Sequence, residues 1–68
     1  MTIKKMILWS LSGSPLTKLE LLECVNGCLK RENRQTMQNT FKLNRHLRQL
    51  EAGQKVFYSE SRERWFLV

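Results

Sequence analysis

Basic and amide side chains are concentrated in one stretch of the chain, residues 31–51, which reads RENRQTMQNTFKLNRHLRQLE. Between residues 30 and 49 there are six Lys or Arg residues and a single acidic residue, Glu32. Positive charges attract anions, while the amides of Asn and Gln can donate and accept hydrogen bonds. This combination is suited to recognising a polar, negatively charged surface.

The chain offers few residues for catalysis or metal binding. It has no Asp and only one His, His46, so a Ser–His–Asp triad cannot be assembled. Cys24 and Cys28 are four residues apart, a spacing that suits one helix face and is a poor geometry for a disulfide. Only His46 could join them as a further metal ligand. We therefore predict reduced thiols, no metal, no cofactor and no enzymatic activity, and reduced thiols indicate the cytoplasm.

Length and charge limit the remaining possibilities. The chain has 68 residues and a net charge of +6, which predicts one small domain, residues 1–68, with a polyanion or an acidic protein as its partner. A solvated basic face kept for solubility is the alternative reading of the charge alone. The apolar patch at residues 6–11 is too short for a secretory leader or a membrane span, so we predict no membrane partner.

Two helices are predicted in the first half of the chain. Apolar residues at helical spacing predict a first helix over about residues 3–11. Residues 17–20, TKLE, form a capping box that opens a second helix over about residues 17–27, with Asn26 and Gly27 as its stop. Leu19, Leu22 and Val25 are expected to supply its buried stripe. Leu8 and Trp9 lie off the stripe of the first helix, so they either pack against another element or form a dimer contact.

A third helix is predicted over residues 34–51, with Asn33 as its N-cap. At 100° per residue its apolar side is expected to contain Thr36, Met37, Thr40, Phe41, Leu43, Leu47 and Leu50. Its polar side is expected to contain Gln35, Gln38, Asn39, Lys42, Arg45, His46 and Gln49.

The C-terminal residues have the composition of strands. KVFYS (55–59) and RWFLV (64–68) are aromatic and β-branched, and polar residues 60–63 between them can form a hairpin tip. A hairpin over about residues 55–68 is therefore predicted. We expect its aromatic residues to pack on the core, although Phe57, Tyr58, Trp65 and Phe66 could also stack on single-stranded bases.

This order of elements resembles the winged helix-turn-helix superfamily. The stretch LRQLEAGQKVFYSESRERWFL carries the resemblance, since a helix ending in LEAG is followed by a strand, a charged tip and an aromatic strand. Among small stand-alone members, the chain looks most like the pilus-operon transcription regulators. The resemblance implies an α+β fold, a three-helix winged helix-turn-helix with a short C-terminal β-hairpin wing. It also implies sequence-dependent binding of double-stranded DNA by a transcription regulator, with residues 33–50 as recognition helix.

The residue types indicate which side chains would contact the DNA. In the major groove, Arg or Lys pairs with guanine and Asn or Gln pairs with adenine, and the first residues of the recognition helix read most bases. The predicted base contacts are Arg34, Gln35, Gln38, Asn39 and Lys42. The predicted phosphate contacts are Lys30, Arg31, Arg45, His46, Arg62 and Arg64.

A second class of function stays open. Fold does not determine function, so the domain could be a protein-interaction module acting as a subunit or inhibitor of a larger complex. RNA binding is a third, weaker reading because no RNA-specific signature is present. Domains of this type usually need a dimer or a larger regulatory protein to read enough base pairs, and Leu8 and Trp9 are the candidate dimer contact.

Overall fold

Three helices and one β-hairpin account for the fold in a computed structural model that describes all 68 residues. In chain order they are α1 (Ile3–Gly13), α2 (Lys18–Arg31), α3 (Phe41–Ala52), β1 (Val56–Ser59) and β2 (Arg64–Leu67). The two strands pair antiparallel. This α+β arrangement confirms the predicted fold class and is consistent with a winged helix with a C-terminal wing. No helix combines the length and the apolar composition needed to cross a membrane.

The capping box predicted at the start of α2 is present. The hydroxyl of Thr17 accepts a hydrogen bond from the Glu20 amide at 3.2 Å, and the Glu20 carboxylate accepts one from the Thr17 amide at 2.9 Å. The helix begins at Lys18 and the cap sets which side chains turn inward, so Leu21 is fully buried. Leu19 is 68% exposed, so the prediction that it belongs to the buried stripe was wrong.

Both N-terminal helices extend further than predicted. Helix α1 ends at Gly13 instead of residue 11, and α2 continues through Asn26 and Gly27 to Arg31. A glycine in a helix interior costs about 1 kcal/mol relative to alanine. The next turn of α2 buries Leu29 almost completely, and such burial contributes about 1.5–3 kcal/mol. The gain from Leu29 outweighs the cost of Gly27.

The predicted start of the third helix was wrong, because Asn33 ends α2 instead of opening α3. Asn33 has φ of 55°, the left-handed conformation. The Asn33 amide donates to the Lys30 carbonyl at 3.0 Å and the Arg34 amide to the Leu29 carbonyl at 2.8 Å. This pair of bonds is a Schellman motif, a common helix stop, with asparagine in the position that glycine usually occupies. Residues 34–40 that follow are irregular.

A side chain from α2 holds this irregular segment. The Asn26 Oδ1 accepts a hydrogen bond from the Met37 amide, and the Asn26 Nδ2 donates to the Met37 carbonyl, both at 2.8 Å. Met37 itself is buried in the core. Since both backbone groups of Met37 are bonded to Asn26, helix formation is deferred to Phe41.

The hydrophobic core lies between the helices and the inner face of the hairpin. It contains thirteen buried residues: Met6, Ile7, Leu11, Leu21, Val25, Cys28, Leu29, Met37, Leu43, Leu47, Leu50, Val56 and Trp65. Leu8 is half-buried and packs against this cluster, whereas its neighbour Trp9 is 56% exposed. Of the two residues predicted as a dimer contact, Leu8 therefore belongs to the core packing.

The predicted hairpin is confirmed, and its register runs from Val56 opposite Leu67 to Ser59 opposite Arg64. Leu16, in the connection between α1 and α2, forms an isolated antiparallel β-bridge with Trp65 of β2. Its amide donates to the Trp65 carbonyl at 3.2 Å, and the Trp65 amide donates to the Leu16 carbonyl at 2.8 Å. These bonds attach the hairpin to the helical part of the fold.

Candidate nucleic-acid interface

The outward face of α3 is the centre of the candidate site. Leu43, Leu47 and Leu50 point into the core, and 100° spacing places a line of residues on the opposite side of the helix. Phe41, Arg45 and Arg48 form that line at positions i, i+4 and i+7, and all three are exposed. We call this line the α3 outward face. Lys42 and Gln49, also exposed, flank it on one side.

The cations of this face have no acidic partner within the chain. Of the twelve Lys and Arg side chains, only Arg34 lies within 4.0 Å of a carboxylate, with its Nη1 3.1 Å from Glu32 Oε1. The other ion pair joins the N-terminal ammonium to Glu32 Oε2 at 3.4 Å. The hydrogen bond from Arg34 is the largest cause of the lowered pKa of Glu32. Lys42, Arg45 and Arg48 are therefore free to bind anions.

The predicted base contacts lie mostly before the helix. Gln35, Gln38 and Asn39 belong to the irregular segment, so the prediction that they start the recognition helix was wrong. They are nevertheless exposed and not buried against α2. Arg34 also precedes the helix, and its Nη1 donates to the Met1 carbonyl at 2.7 Å as well as to Glu32. Of the five predicted base contacts, only Lys42 is on α3.

A hollow of about 480 Å³ lies beside the α3 outward face and brings all five of these side chains together. Its wall combines cations and amides with apolar groups from α1, α2 and the irregular segment. The residues that line it are Ile3, Leu29, Arg34, Gln35, Thr36, Met37, Gln38, Asn39, Phe41 and Lys42. The amide groups therefore form the flank of α3 instead of its first turn.

The two basic residues at the end of α2 differ in their availability. Arg31 is folded back onto its own helix, where its Nε donates to the Gly27 carbonyl at 3.4 Å and its Nη2 to the Cys28 sulfur at 3.5 Å. Lys30 is exposed and forms no ion pair. Lys30 is thus the better placed of the two to contact a phosphate.

The hairpin has one aromatic pair on each face. On the inner face Tyr58 and Trp65 have ring centroids 5.2 Å apart, and Trp65 is buried as expected. On the outer face Phe57 and Phe66 stack at 5.4 Å, and the Arg62 guanidinium lies 5.6 Å from the Phe66 centroid. The prediction that the aromatic residues pack on the core therefore holds for Trp65 but not for Phe57 and Tyr58, which are both exposed.

Arg64, the other predicted wing contact, lies close to the start of α2. The pKa of Glu20 is lowered chiefly by its hydrogen bonds with Thr17, and the charge of Arg64 adds a smaller effect in the same direction. Arg64 is exposed and forms no ion pair. Arg62 and Arg64 are thus both accessible.

The surroundings of His46 disfavour its protonated form. Its side chain is half-buried, and its Nδ1 is hidden from solvent without a hydrogen-bond partner. Burial lowers the pKa of His46, and the charges of Lys4 and Arg45 lower it further. A neutral imidazole can still donate a hydrogen bond to a phosphate, but it contributes no charge.

Sequence reasoning missed Arg48 and Phe41. It assigned Arg48 to neither side of the helix and placed Phe41 on the apolar side, yet both lie on the α3 outward face. The error came from including Thr36, Met37 and Thr40 in the helical pattern, which rotated the predicted faces. The spacing of the three leucines alone points to the correct face.

Comparisons with known proteins assign no family to the chain. No protein-family model matches it, and no curated protein and no solved structure matches it at a significant level. Its function must therefore be inferred from its own residues, above all from the unpaired cations of α3.

Proposed function

We propose that this chain binds double-stranded DNA through the α3 outward face and acts as a small transcription regulator. The observation that carries the proposal is the set of three cations on or beside this face, Lys42, Arg45 and Arg48, which have no acidic partner. The resemblance to the winged helix-turn-helix superfamily, and to the pilus-operon regulators within it, supports the same conclusion.

The dimensions of α3 suit the major groove. Twelve residues give a helix of about 18 Å, and the groove, about 12 Å wide, admits one helix. Arg45 and Arg48 are the residues best placed to pair with guanine. Gln35, Gln38, Asn39 and Lys42 lie at its side, where amides can read adenine and Lys42 can reach a phosphate.

The other exposed cations fit contacts to the DNA backbone. Lys30 lies at the end of α2, and Arg62 and Arg64 belong to the hairpin. Together with the α3 cations they provide about four to six phosphate contacts. We place this activity in the cytoplasm, since Cys24 and Cys28 are free thiols.

The test is fluorescence anisotropy with the purified chain and random duplex DNA over a series of salt concentrations. Four to six phosphate contacts predict a plot of log affinity against log salt with a slope of about −4 to −5. Changing Arg45 and Arg48 together to Ala is expected to weaken binding and to reduce the slope by about 2, because each cation that contacts the DNA releases about one counterion.

A charge-matched variant provides the control. Changing Lys5 and Lys55 to Ala removes the same net charge from exposed positions outside the interface. This variant should retain most of the affinity. Equal losses in the two variants would mean that only the overall charge matters, and no binding at low salt would contradict the proposal.

A protein-interaction module is the second candidate, and the surface around Trp9 favours it. The exposed indole borders a hollow of about 300 Å³ that is also lined by Met1, Cys28, Arg31 and Glu32. An exposed tryptophan beside a hollow is typical of protein contact sites. The partner could be a second copy of the chain or a larger regulatory protein, in which case the domain would act as a subunit or inhibitor.

A further inference from the structure

Phe41 is the most exposed large hydrophobic side chain of the molecule, at 80%. It is the first residue of α3, and its amide donates to Asn39 Oδ1 at 2.9 Å. Burying a phenylalanine contributes about 1.5–3 kcal/mol, which this position forgoes. Since no part of the fold covers the ring, Phe41 contributes little to the stability of the domain.

The ring lies between two hollows that both contain polar side chains. Phe41 borders the hollow of about 480 Å³ beside α3, which Lys42 also lines. It borders a second hollow of about 390 Å³ as well. The second hollow is lined by Lys18, Asn39, Thr40 and Asn44 in addition to Phe41. Each hollow contains a lysine and amide side chains, and the other apolar residues of the first hollow, Ile3, Leu29 and Met37, are partly or fully buried. The phenyl group is thus the most exposed apolar group in the two hollows.

One exposed apolar ring beside lysine and amide side chains fits one feature of DNA. In the major groove the C5 methyl of thymine is the apolar group on the base edges, and phenylalanine is among the side chains that contact it. A protein partner would be expected to offer Phe41 a cluster of apolar groups, as at the centre of most protein interfaces. Phe41 is the only apolar residue of the two hollows that is exposed, and its amide and lysine neighbours match the DNA groove better.

We propose that Phe41 is a specificity-determining residue that reads thymine through its C5 methyl group. This inference rests on the proposed binding of α3 to duplex DNA. Phe41 precedes Arg45 by four residues, or about 6 Å along the helix axis. Base pairs are about 3.4 Å apart, so the contacted thymine should lie about two base pairs from a guanine read by Arg45.

The test compares thymine with deoxyuridine, which forms the same base pair but lacks the methyl group. A binding site is first selected from a random duplex library with the wild-type chain. The site is then resynthesised with deoxyuridine at each thymine in turn, and affinities are measured by anisotropy. At the contacted thymine we expect binding about fourfold weaker, since one buried methyl group contributes about 0.8 kcal/mol.

The variants assign this effect to Phe41. F41A should bind the thymine and deoxyuridine sites equally, and F41L, which keeps an apolar side chain, should retain part of the difference. Phe57→Ala removes another exposed aromatic ring, on the hairpin, and should discriminate as the wild type does. Circular dichroism should show unchanged helix content in F41A, because the ring is not packed.

The possible failures of the two proposals are distinguishable. If deoxyuridine weakens no position, if F41A still discriminates, or if selection enriches no sequence, thymine reading by Phe41 is wrong. In each of these cases, steep salt-dependent binding that requires Arg45 and Arg48 would leave the DNA-binding proposal intact. Absence of binding to any duplex would overturn both.

Discussion

His46 shows how the surroundings of a single residue decide its chemistry. The sequence placed it on a basic face, where a charged imidazole would bind phosphate. In the structure it is half-buried, and Lys4 and Arg45 are close enough to oppose its protonation. No carboxylate is near to stabilise the charged form. The residue type was visible in the sequence, but its charge depends on contacts between α1 and α3.

The lowered pKa of His46 predicts how stability changes with pH. The unfolded chain takes up the proton near the ordinary value of about 6.5, whereas the folded chain takes it up at a lower pH. The free energy of unfolding should therefore be unaffected by His46 above this value and should fall as the pH drops below it. Urea unfolding of the wild type and His46→Gln at pH 7.5, 6.5 and 5.5 measures this.

The glutamine variant should lose less stability than the wild type between pH 6.5 and 5.5. Glu20 and Glu32 do not obscure the comparison, because their pKa values are lowered below 4.5 and affect stability only in more acidic solution. Parallel pH profiles for the two proteins would show that His46 is not desolvated in the folded state.

At the scale of elements, all three helices are preceded by threonine, but only two of these residues form a side-chain cap. Thr2 accepts from the Lys5 amide at 3.2 Å, and Thr17 forms the capping box with Glu20. Thr40 makes no such bond, and Asn39 caps the Phe41 amide instead. Threonine therefore forms a side-chain cap before α1 and α2 but not before α3.

This difference predicts the effects of two matched substitutions. Thr17→Ala removes a cap and should lower the free energy of unfolding by about 1 kcal/mol. Thr40→Ala removes the same atoms without breaking a cap and should change it by less than about 0.5 kcal/mol. Urea unfolding at neutral pH measures both. Equal losses would mean that the hydroxyl of Thr17 contributes nothing through capping.

Local signals made most of the elements predictable. The capping box, the apolar spacing of α1 and the aromatic and β-branched composition of the hairpin each act over a few residues, and all three predicted elements are present. The start of α3 was not predictable in this way. It depends on a pair of hydrogen bonds between Asn26 and Met37, eleven residues apart in sequence. The candidate site was consequently displaced by about two turns of helix, although two of its three cations, Lys42 and Arg45, were identified.

The whole molecule presents two distinct surfaces, the α3 outward face and the surface around Trp9. Helix-turn-helix proteins commonly bind DNA as dimers, with one recognition helix at each half-site. Trp9 lies on α1, and the α3 outward face is formed by another helix. A contact between two copies through Trp9 would therefore leave the cations of α3 available.

We predict that Trp9→Ala lowers self-association without changing helix content, since the indole is more than half exposed and does not belong to the hydrophobic core. Sedimentation velocity over a concentration series measures association, and circular dichroism measures helix content. Leu19→Ala, which removes another exposed apolar side chain, is the control and should behave as the wild type. Identical sedimentation of the Trp9 variant and the wild type would contradict the role assigned to this surface.

The hydrogen bonds of Asn26 also bear on the chemical ageing of the protein. Asn26 is followed by Gly27, and an asparagine before glycine is the sequence most prone to deamidate, because the unhindered glycine nitrogen can attack the side-chain carbonyl. Here the helical backbone holds the glycine nitrogen away from the side-chain carbonyl of Asn26, and both polar atoms of the Asn26 side chain are bonded to Met37. Folding therefore protects the residue that holds the irregular segment. Deamidation would convert the side chain to a carboxylate, which cannot donate to the Met37 carbonyl. Deamidation of the unfolded chain would therefore weaken the contact that holds the irregular segment before α3.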